Sequence, residues 1–254
     1  MIRRDVISDQ GVHSWLLISQ VQHARLAGDL ARQWPFWSDS LHASLRAELL
    51  SAIYHHDDGW TEWERQPKLR PADGAPLNFL EMPLQDSLDI WGQSIRQSVR
   101  LGPLAAYVVA GHFLYLLDQS TAADQPAACL WSASFRQQQD SWSTQWQSQD
   151  VARHQPAAAR EALSWLQLLD ALSLWFCCDG TPITQEITLP DGNTVRFTRR
   201  AEQQVTVSPW LFDVPNLQLS VETIPCHSIP CDSGWTLLCP PGTTGELQWR
   251  VTAD

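Results

Sequence analysis

Two acidic residues, Asp57 and Asp170, constrain the fold of this chain most strongly, because each continues an apolar stripe of a predicted helix. The apolar residues that define these stripes, at helical spacing, are Leu45, Leu49 and Ile53 for the first and Leu163, Leu166 and Leu174 for the second. A carboxylate that is buried alone costs several kcal/mol even after relaxation, so a cation, a metal or several donors must lie beside it. The fold must bring such a partner to both aspartates.

Two histidines fall on inward faces of the same kind. His23 lies on the apolar face of a predicted helix over residues 13–34, and His56 directly precedes Asp57 at the end of a predicted helix over residues 41–57. The chain contains one lysine, and no arginine lies on these stripes. Histidines and a bound cation are therefore the partners available to the two acids.

We predict that His23, His56, Asp57 and Asp170 bind one divalent transition metal, which would be Mn, Fe, Zn, Co or Ni. Two imidazoles and two carboxylates form a nitrogen and oxygen ligand set that suits these ions and leaves positions for water or substrate. Taken singly, each histidine has a plain alternative as a hydrogen-bonded core residue, and Asp57 as a turn cap. The adjacent pair His56-Asp57, placed between the other two residues, favours the metal.

The periodicity predicts a mainly α fold, a helical bundle with a small C-terminal antiparallel β subdomain. Up to residue 180, apolar residues recur at helical spacing in runs that proline-containing segments separate. After that point the runs are short and alternating, with turn pairs between them. We therefore expect a helical metal-binding domain over residues 1–180 and a strand-rich subdomain over residues 181–254 packed on it. Residues 65–83 are expected to form an ordered loop over the helices.

The order of the four predicted ligands resembles that of the HD superfamily of metal-dependent phosphohydrolases. The three segments are Gln22-His23-Ala24, Ala52-Ile-Tyr-His-His-Asp-Asp-Gly-Trp60 and Leu168-Leu-Asp-Ala-Leu172. The box His56-Asp57-Asp58-Gly59 is similar to the His-Asp-x-Gly signature of that superfamily, although Asp58 replaces its usual apolar residue. The version ending in Trp60, with the later Leu-Leu-Asp-x-Leu-Ser-Leu segment, resembles more closely an uncharacterised bacterial family with an HD-like helical core. The resemblance covers about residues 10–178.

The resemblance implies an HD-like helical core and a phosphohydrolase that acts on a small phosphorylated molecule or a nucleotide. It implies that Asp57 ligates the metal and orients a water, and that His112, on the apolar face of a predicted helix over residues 101–117, donates a proton or contacts phosphate. The basic residues Arg65, Lys68 and Arg70 follow the metal box and could hold an anionic substrate, or they form a solvated loop. A non-catalytic metal-containing binding or regulatory module with the same core is the alternative function.

Composition excludes several other classes. Seventeen basic and 28 acidic residues give a formal net charge of −11, which argues against a nucleic-acid polymer as partner. No apolar run is long enough to span a bilayer, and no apolar stretch follows the first residues, so we expect no membrane partner and a cytoplasmic location. A ferritin-like di-iron bundle requires Glu-x-x-His pairs, and the sequence has none. The oligomeric state stays open, with a homodimer as one option.

The six cysteines are expected to be free thiols, because they are too few for a disulfide framework in a chain of this length. Cys226, His227, Cys231 and Cys239 lie close together in the strand-rich part and form a candidate second zinc site. Their spacing matches no standard zinc finger, so free thiols are the favoured interpretation.

Overall fold

The computed structural model describes residues 1–7, 13–34, 43–178, 182–232, 234–240 and 242–254, of which about half are helical and a quarter lie in strands. The described α-helices are α1 (Gln20–Gln33), α2 (Ala43–His55), α3 (Thr61–Arg65), α4 (Leu84–Ser98), α5 (Pro103–Asp118), α6 (Pro126–Gln149) and α7 (Pro156–Cys177). The described strands are β1 (Ile2–Ile7), β2 (His13–Ile18), β3 (Thr184–Thr188), β4 (Thr194–Ala201), β5 (Gln204–Ser208), β6 (Asn216–Cys231), β7 (Gly234–Leu238) and β8 (Gly245–Ala253). Short 3₁₀ turns cover Asp58–Trp60 and Phe79–Glu81.

Helices α1, α2, α5 and α7 pack against one another around a shared apolar core. Local sequence sets where they begin: the Ser19 side chain accepts a hydrogen bond from the amide of Gln22 and so caps α1, and α5 and α7 each have a proline in the first turn. Helices α4 and α6 cover α5. No described helix is both long enough and apolar enough to span a membrane.

The strands form one curled, mixed sheet in the order β1-β2-β6-β8-β5-β4-β3. Along this order all pairs are antiparallel except β5 with β8, which is parallel. The 16-residue strand β6 pairs with three other strands along its length. Its first part pairs with β8, its middle with β2 and its last part with β7. A single long strand therefore joins the N-terminal hairpin to the C-terminal strands.

The helices and the sheet share their core. Leu217, Leu219 and Val221 of β6 are buried and alternate with exposed residues, so one face of the sheet packs on the helices. The fully buried Trp34, just after α1, contacts the ring of Phe197 on β4. Buried residues on both sides of residue 180 thus belong to one hydrophobic cluster.

The prediction of a mainly α fold with a small β subdomain is wrong, because the sheet is large and its strands come from both ends of the chain. It is also mixed rather than purely antiparallel. The predicted helix over residues 13–34 is in fact strand β2 followed by α1, since Trp15 and Leu17 alternate inward before Ser19 starts the helix. The predicted domain boundary at residue 180 lies outside the described residues and stays a prediction.

Gly59, which follows the His-Asp pair, lets the 3₁₀ turn approach the backbone of α4. A Cβ at this position would lie 2.3 Å from the carbonyl oxygen of Ile90 and 2.5 Å from the amide nitrogen of Ser94. We expect Gly59→Ala to lower the free energy of unfolding by about 1–3 kcal/mol, as overpacking against a rigid neighbour does. Urea denaturation measures this difference.

Gly92, on α4 itself, provides the matched control. A Cβ there would lie 3.1 Å from the end of the Arg96 side chain and 3.4 Å from Trp131 Nε1, and its three nearest contacts include no backbone atom. Gly92→Ala should leave stability unchanged or raise it by up to about 1 kcal/mol, because alanine favours helix. Equal stability of the two variants would contradict the close-approach explanation.

Candidate metal centre

Four ionisable side chains meet where three helices come together. His23 lies one turn into α1, His56 and Asp57 directly follow the end of α2, and Asp170 lies on α7. All four are buried, with exposed fractions between 0% and 7%. Each offers a ligand atom within 4.8 Å of the others, and the described residues contain one such group.

The distances between the nitrogen and oxygen atoms match the ligand shell of a single ion. His23 Nε2 lies 2.9 Å from Asp57 Oδ2 and 3.4 Å from Asp170 Oδ1. His56 Nε2 lies 3.1 Å from Asp170 Oδ1 and 3.5 Å from Asp57 Oδ2. Ligands held about 2.1 Å from a metal are separated by about 3.0 Å in octahedral and about 3.4 Å in tetrahedral geometry. These four residues therefore fit the metal that the sequence predicts for them.

The far side of each imidazole is held by an oxygen. His56 Nδ1 lies 2.8 Å from the carbonyl oxygen of Ile53, which can only accept, so Nδ1 carries a proton. His23 Nδ1 lies 2.7 Å from the hydroxyl of Ser173. Ligating histidines in proteins are typically held in this way through the nitrogen that does not bind the metal. Ser173 was missed by the sequence analysis, although its place three residues after Asp170 puts it on the same face of α7.

The electrostatics of the cluster favour a cation among the four groups. Burial lowers the pKa of His56, but the charges of Asp57 and Asp170 and a hydrogen bond to Asp170 outweigh it and raise the pKa to about 9. Burial raises the pKa of both aspartates, yet the neighbouring histidines outweigh it and hold both values below the ordinary range. At neutral pH without metal, two carboxylates thus share the site with a protonated His56.

His112, on α5, lies beside the cluster rather than in it. Its Nε2 is 3.9 Å from Asp170 Oδ2, and its ring meets the edge of the His56 ring at a centroid distance of 5.5 Å. Its Nδ1 is buried and has no hydrogen-bond partner in the structure. Burial lowers the pKa of His112 in spite of the charge of Asp170, so the imidazole is neutral. The structure therefore places His112 next to the cluster as a buried neutral ring with one nitrogen that makes no hydrogen bond.

The three basic residues predicted to bind substrate lie on the surface, and each is ion-paired with an acid. The pairs are Arg65 with Glu62 at 2.5 Å, Lys68 with Asp86 at 2.5 Å, and Arg70 with Asp73 at 2.6 Å. Arg70 also contacts Glu81. The structure therefore does not bring these cationic groups into the cluster, and their role toward a substrate stays a prediction.

The expectation of free thiols is wrong for Cys226 and Cys239, which form a disulfide. The two cysteines lie directly beyond the last β6–β7 pair, His227 with Leu238, and their Cα atoms are 4.4 Å apart. Cys231 is far along β6 at the other end of the hairpin. Sulfurs joined in a disulfide are not thiolate ligands, so this state does not form the candidate zinc site.

Comparison with known families is consistent with the resemblance to an uncharacterised family, and it gives no support for an HD-superfamily assignment. The family described as "Protein of unknown function (DUF3891)" matches residues 6–226. The chain belongs to this family. Searches of curated proteins and of solved structures give no match. The family therefore covers the four clustered residues, His112 and most of the sheet.

We expect the purified protein to bind about one divalent transition metal per chain, as a two-histidine, two-aspartate site does. His56→Ala should abolish binding, because it removes one of the four ligands. Elemental analysis after incubation with Mn²⁺, Fe²⁺, Co²⁺, Ni²⁺ or Zn²⁺ measures the stoichiometry.

His55→Ala is the matched control for this experiment. His55 precedes His56 but is exposed, and its Nδ1 lies 2.9 Å from Asp58 at the surface. This variant should bind metal like the wild type. A wild-type protein that stays metal-free with every one of these ions would refute the site.

The raised pKa of His56 predicts that metal and proton compete. Below about pH 9 the metal-free protein holds a proton on His56, which must leave before Nε2 can ligate. The apparent metal affinity should therefore rise about tenfold per pH unit between about pH 6.5 and 8.5, with release of about one proton. Competition with a chelator across this range measures the slope, and an affinity independent of pH would contradict the assignment.

Proposed function

We propose that this chain is a metal-dependent phosphohydrolase of the HD type that acts on a small phosphorylated molecule or a nucleotide. The observation that carries the proposal is the convergence of His23, His56, Asp57 and Asp170, in the HD order along the chain, on one buried point. The likeness in residue order to the HD superfamily supplies the reaction class, and the geometry supports the metal.

A divalent cation held by these four residues would supply Lewis acidity, lowering the pKa of water and polarising a phosphoryl oxygen. Asp57 Oδ2 already lies against His23, so this carboxylate is fixed in place to orient an attacking water. His112 would contact the phosphate through its neutral ring, because its lowered pKa disfavours the protonated form that a general acid needs. The net charge of −11 suits a small substrate better than a polyanion.

One observation favours the alternative of a non-catalytic module that keeps the metal. Four buried side chains would fill a tetrahedral shell, as in a structural metal site, whereas catalytic sites keep an open coordination position. Water-proton relaxation of the Mn²⁺-loaded protein separates the two functions. An exchanging water on the metal supports catalysis, and its absence supports the module.

Turnover should appear in a screen of phosphomonoesters, nucleotides and cyclic dinucleotides with the metal-loaded protein. We expect Asp57→Asn to lose metal and activity together. His112→Gln should keep the metal and lower kcat/KM by about 10- to 100-fold, because it removes a hydrogen bond to the charged phosphate.

Phosphate release and product chromatography measure these effects, with His55→Gln as the variant that should behave like the wild type. If the fully metal-loaded protein turns over none of these substrates, the proposed hydrolase activity is refuted, and the alternative of a non-catalytic binding module is favoured.

A further inference from the structure

We infer that Ser173 is a positioning residue for the metal centre, which fixes the tautomer of His23 so that Nε2 presents its lone pair to the metal position. This inference rests on the proposed metal centre and extends it to a residue that carries no ligand atom. Ser173 lies on α7 and is fully buried.

The hydrogen-bond arrangement around Ser173 leaves one consistent assignment of protons. Its Oγ lies 2.8 Å from the backbone carbonyl oxygen of Asp170 and 2.7 Å from His23 Nδ1. A serine hydroxyl has a single proton, and a carbonyl oxygen can only accept. The Ser173 proton therefore goes to the Asp170 carbonyl, and the oxygen accepts a proton from His23 Nδ1.

The consequence for His23 is a defined tautomer. With the proton on Nδ1, the lone pair of the neutral ring is on Nε2, the atom that faces Asp57 and Asp170. Either a proton or a metal ion between Nε2 and the two carboxylates satisfies these groups, and the metal takes the position of the proton when it binds. The other tautomer would turn an N–H toward the metal position and prevent ligation.

The two histidine ligands are held by different means. The Ile53 backbone holds His56, and no side-chain substitution removes that carbonyl. A side chain holds His23, so its tautomer can be changed by mutation. The Ser173 hydroxyl also bonds to the backbone carbonyl of Asp170. One hydroxyl therefore connects the ring of one ligand, His23, to the backbone of another, Asp170.

The test compares Zn²⁺ affinity among variants of the full chain by competition with a chelator. Ser173→Ala, and Ser173→Cys with its weaker sulfur acceptor, should bind Zn²⁺ about 10- to 100-fold more weakly, the usual effect of losing the partner of a ligating histidine. Ser173→Thr keeps the hydroxyl and should restore binding. Ser98→Ala is the matched control, because Ser98 is also buried and bonds back to the carbonyl of Ile95 without touching a histidine.

Nitrogen-15 spectra of the histidine side chains provide a readout that a purely structural role would not move. The wild type should show a protonated, exchange-protected Nδ1 on His23 both with and without Zn²⁺. Ser173→Cys should lose that protection. If Ser173→Ala and Ser173→Cys bind Zn²⁺ like the wild type and keep the protected Nδ1 proton, the inference is overturned.

Failure of the metal centre gives a different result from failure of this inference. A wild type that binds no Zn²⁺ refutes the centre, while its metal-free spectrum still reports whether Ser173 fixes the His23 tautomer. If Ser173→Ala or Ser173→Cys does not fold, the spectrum of Ser173→Thr is used instead. A folded Ser173→Thr variant without the protected Nδ1 proton on His23 would likewise overturn the inference.

Discussion

The structure depends first on the burial of Asp57 and Asp170 among α1, α2 and α7. Removing two carboxylates from water costs several kcal/mol each, and their proximity adds repulsion, so the fold is stable only if a compensating charge is placed between them. His23 and His56 provide the groups that hold this charge, as a proton or a metal. The helices must therefore pack closely enough to bring all four side chains together. A glycine permits part of this close packing, because a Cβ at Gly28 on α1 would lie 2.4 Å from the ring of Tyr54 on α2.

Much of the helical part and the cluster could be predicted from sequence for one physical reason. A helix with one buried face must repeat apolar residues every three to four positions, so an ionisable residue on that face is visible without coordinates. This is why His23 and Asp170 could be singled out, and α5, predicted over residues 101–117, begins and ends within two residues of that range. Ser173 escaped because a helical serine has an ordinary local role, bonding back to the preceding turn, and only the position of His23 shows what its oxygen accepts.

The sheet could not be predicted in the same way, because its key pairings join residues about 200 positions apart in the chain. Strand β2 is six residues long, and only Ser19 separates it from α1. In the sequence its apolar residues therefore look like a continuation of the apolar stripe of α1. Its partner is the middle of β6, where Trp15 pairs with Cys226. No local pattern shows such a pairing. The disulfide between Cys226 and Cys239 lies instead beside the β6–β7 pairing, next to the pair of His227 with Leu238.

The N-terminal hairpin, β1 and β2, connects the sheet to two of the helices that carry the cluster. Strand β2 leads directly into α1, so the pairing of β2 with β6 fixes the start of the helix that bears His23. Arg4 of β1 donates hydrogen bonds to the carbonyl oxygens of Phe176 and Cys177, at 2.7 Å each, and so holds the end of the helix that bears Asp170. The sheet is thus part of the scaffold of the cluster. This agrees with a family match that runs from residue 6 to residue 226 and so continues past the helices, to the point on β6 where β2 is bound.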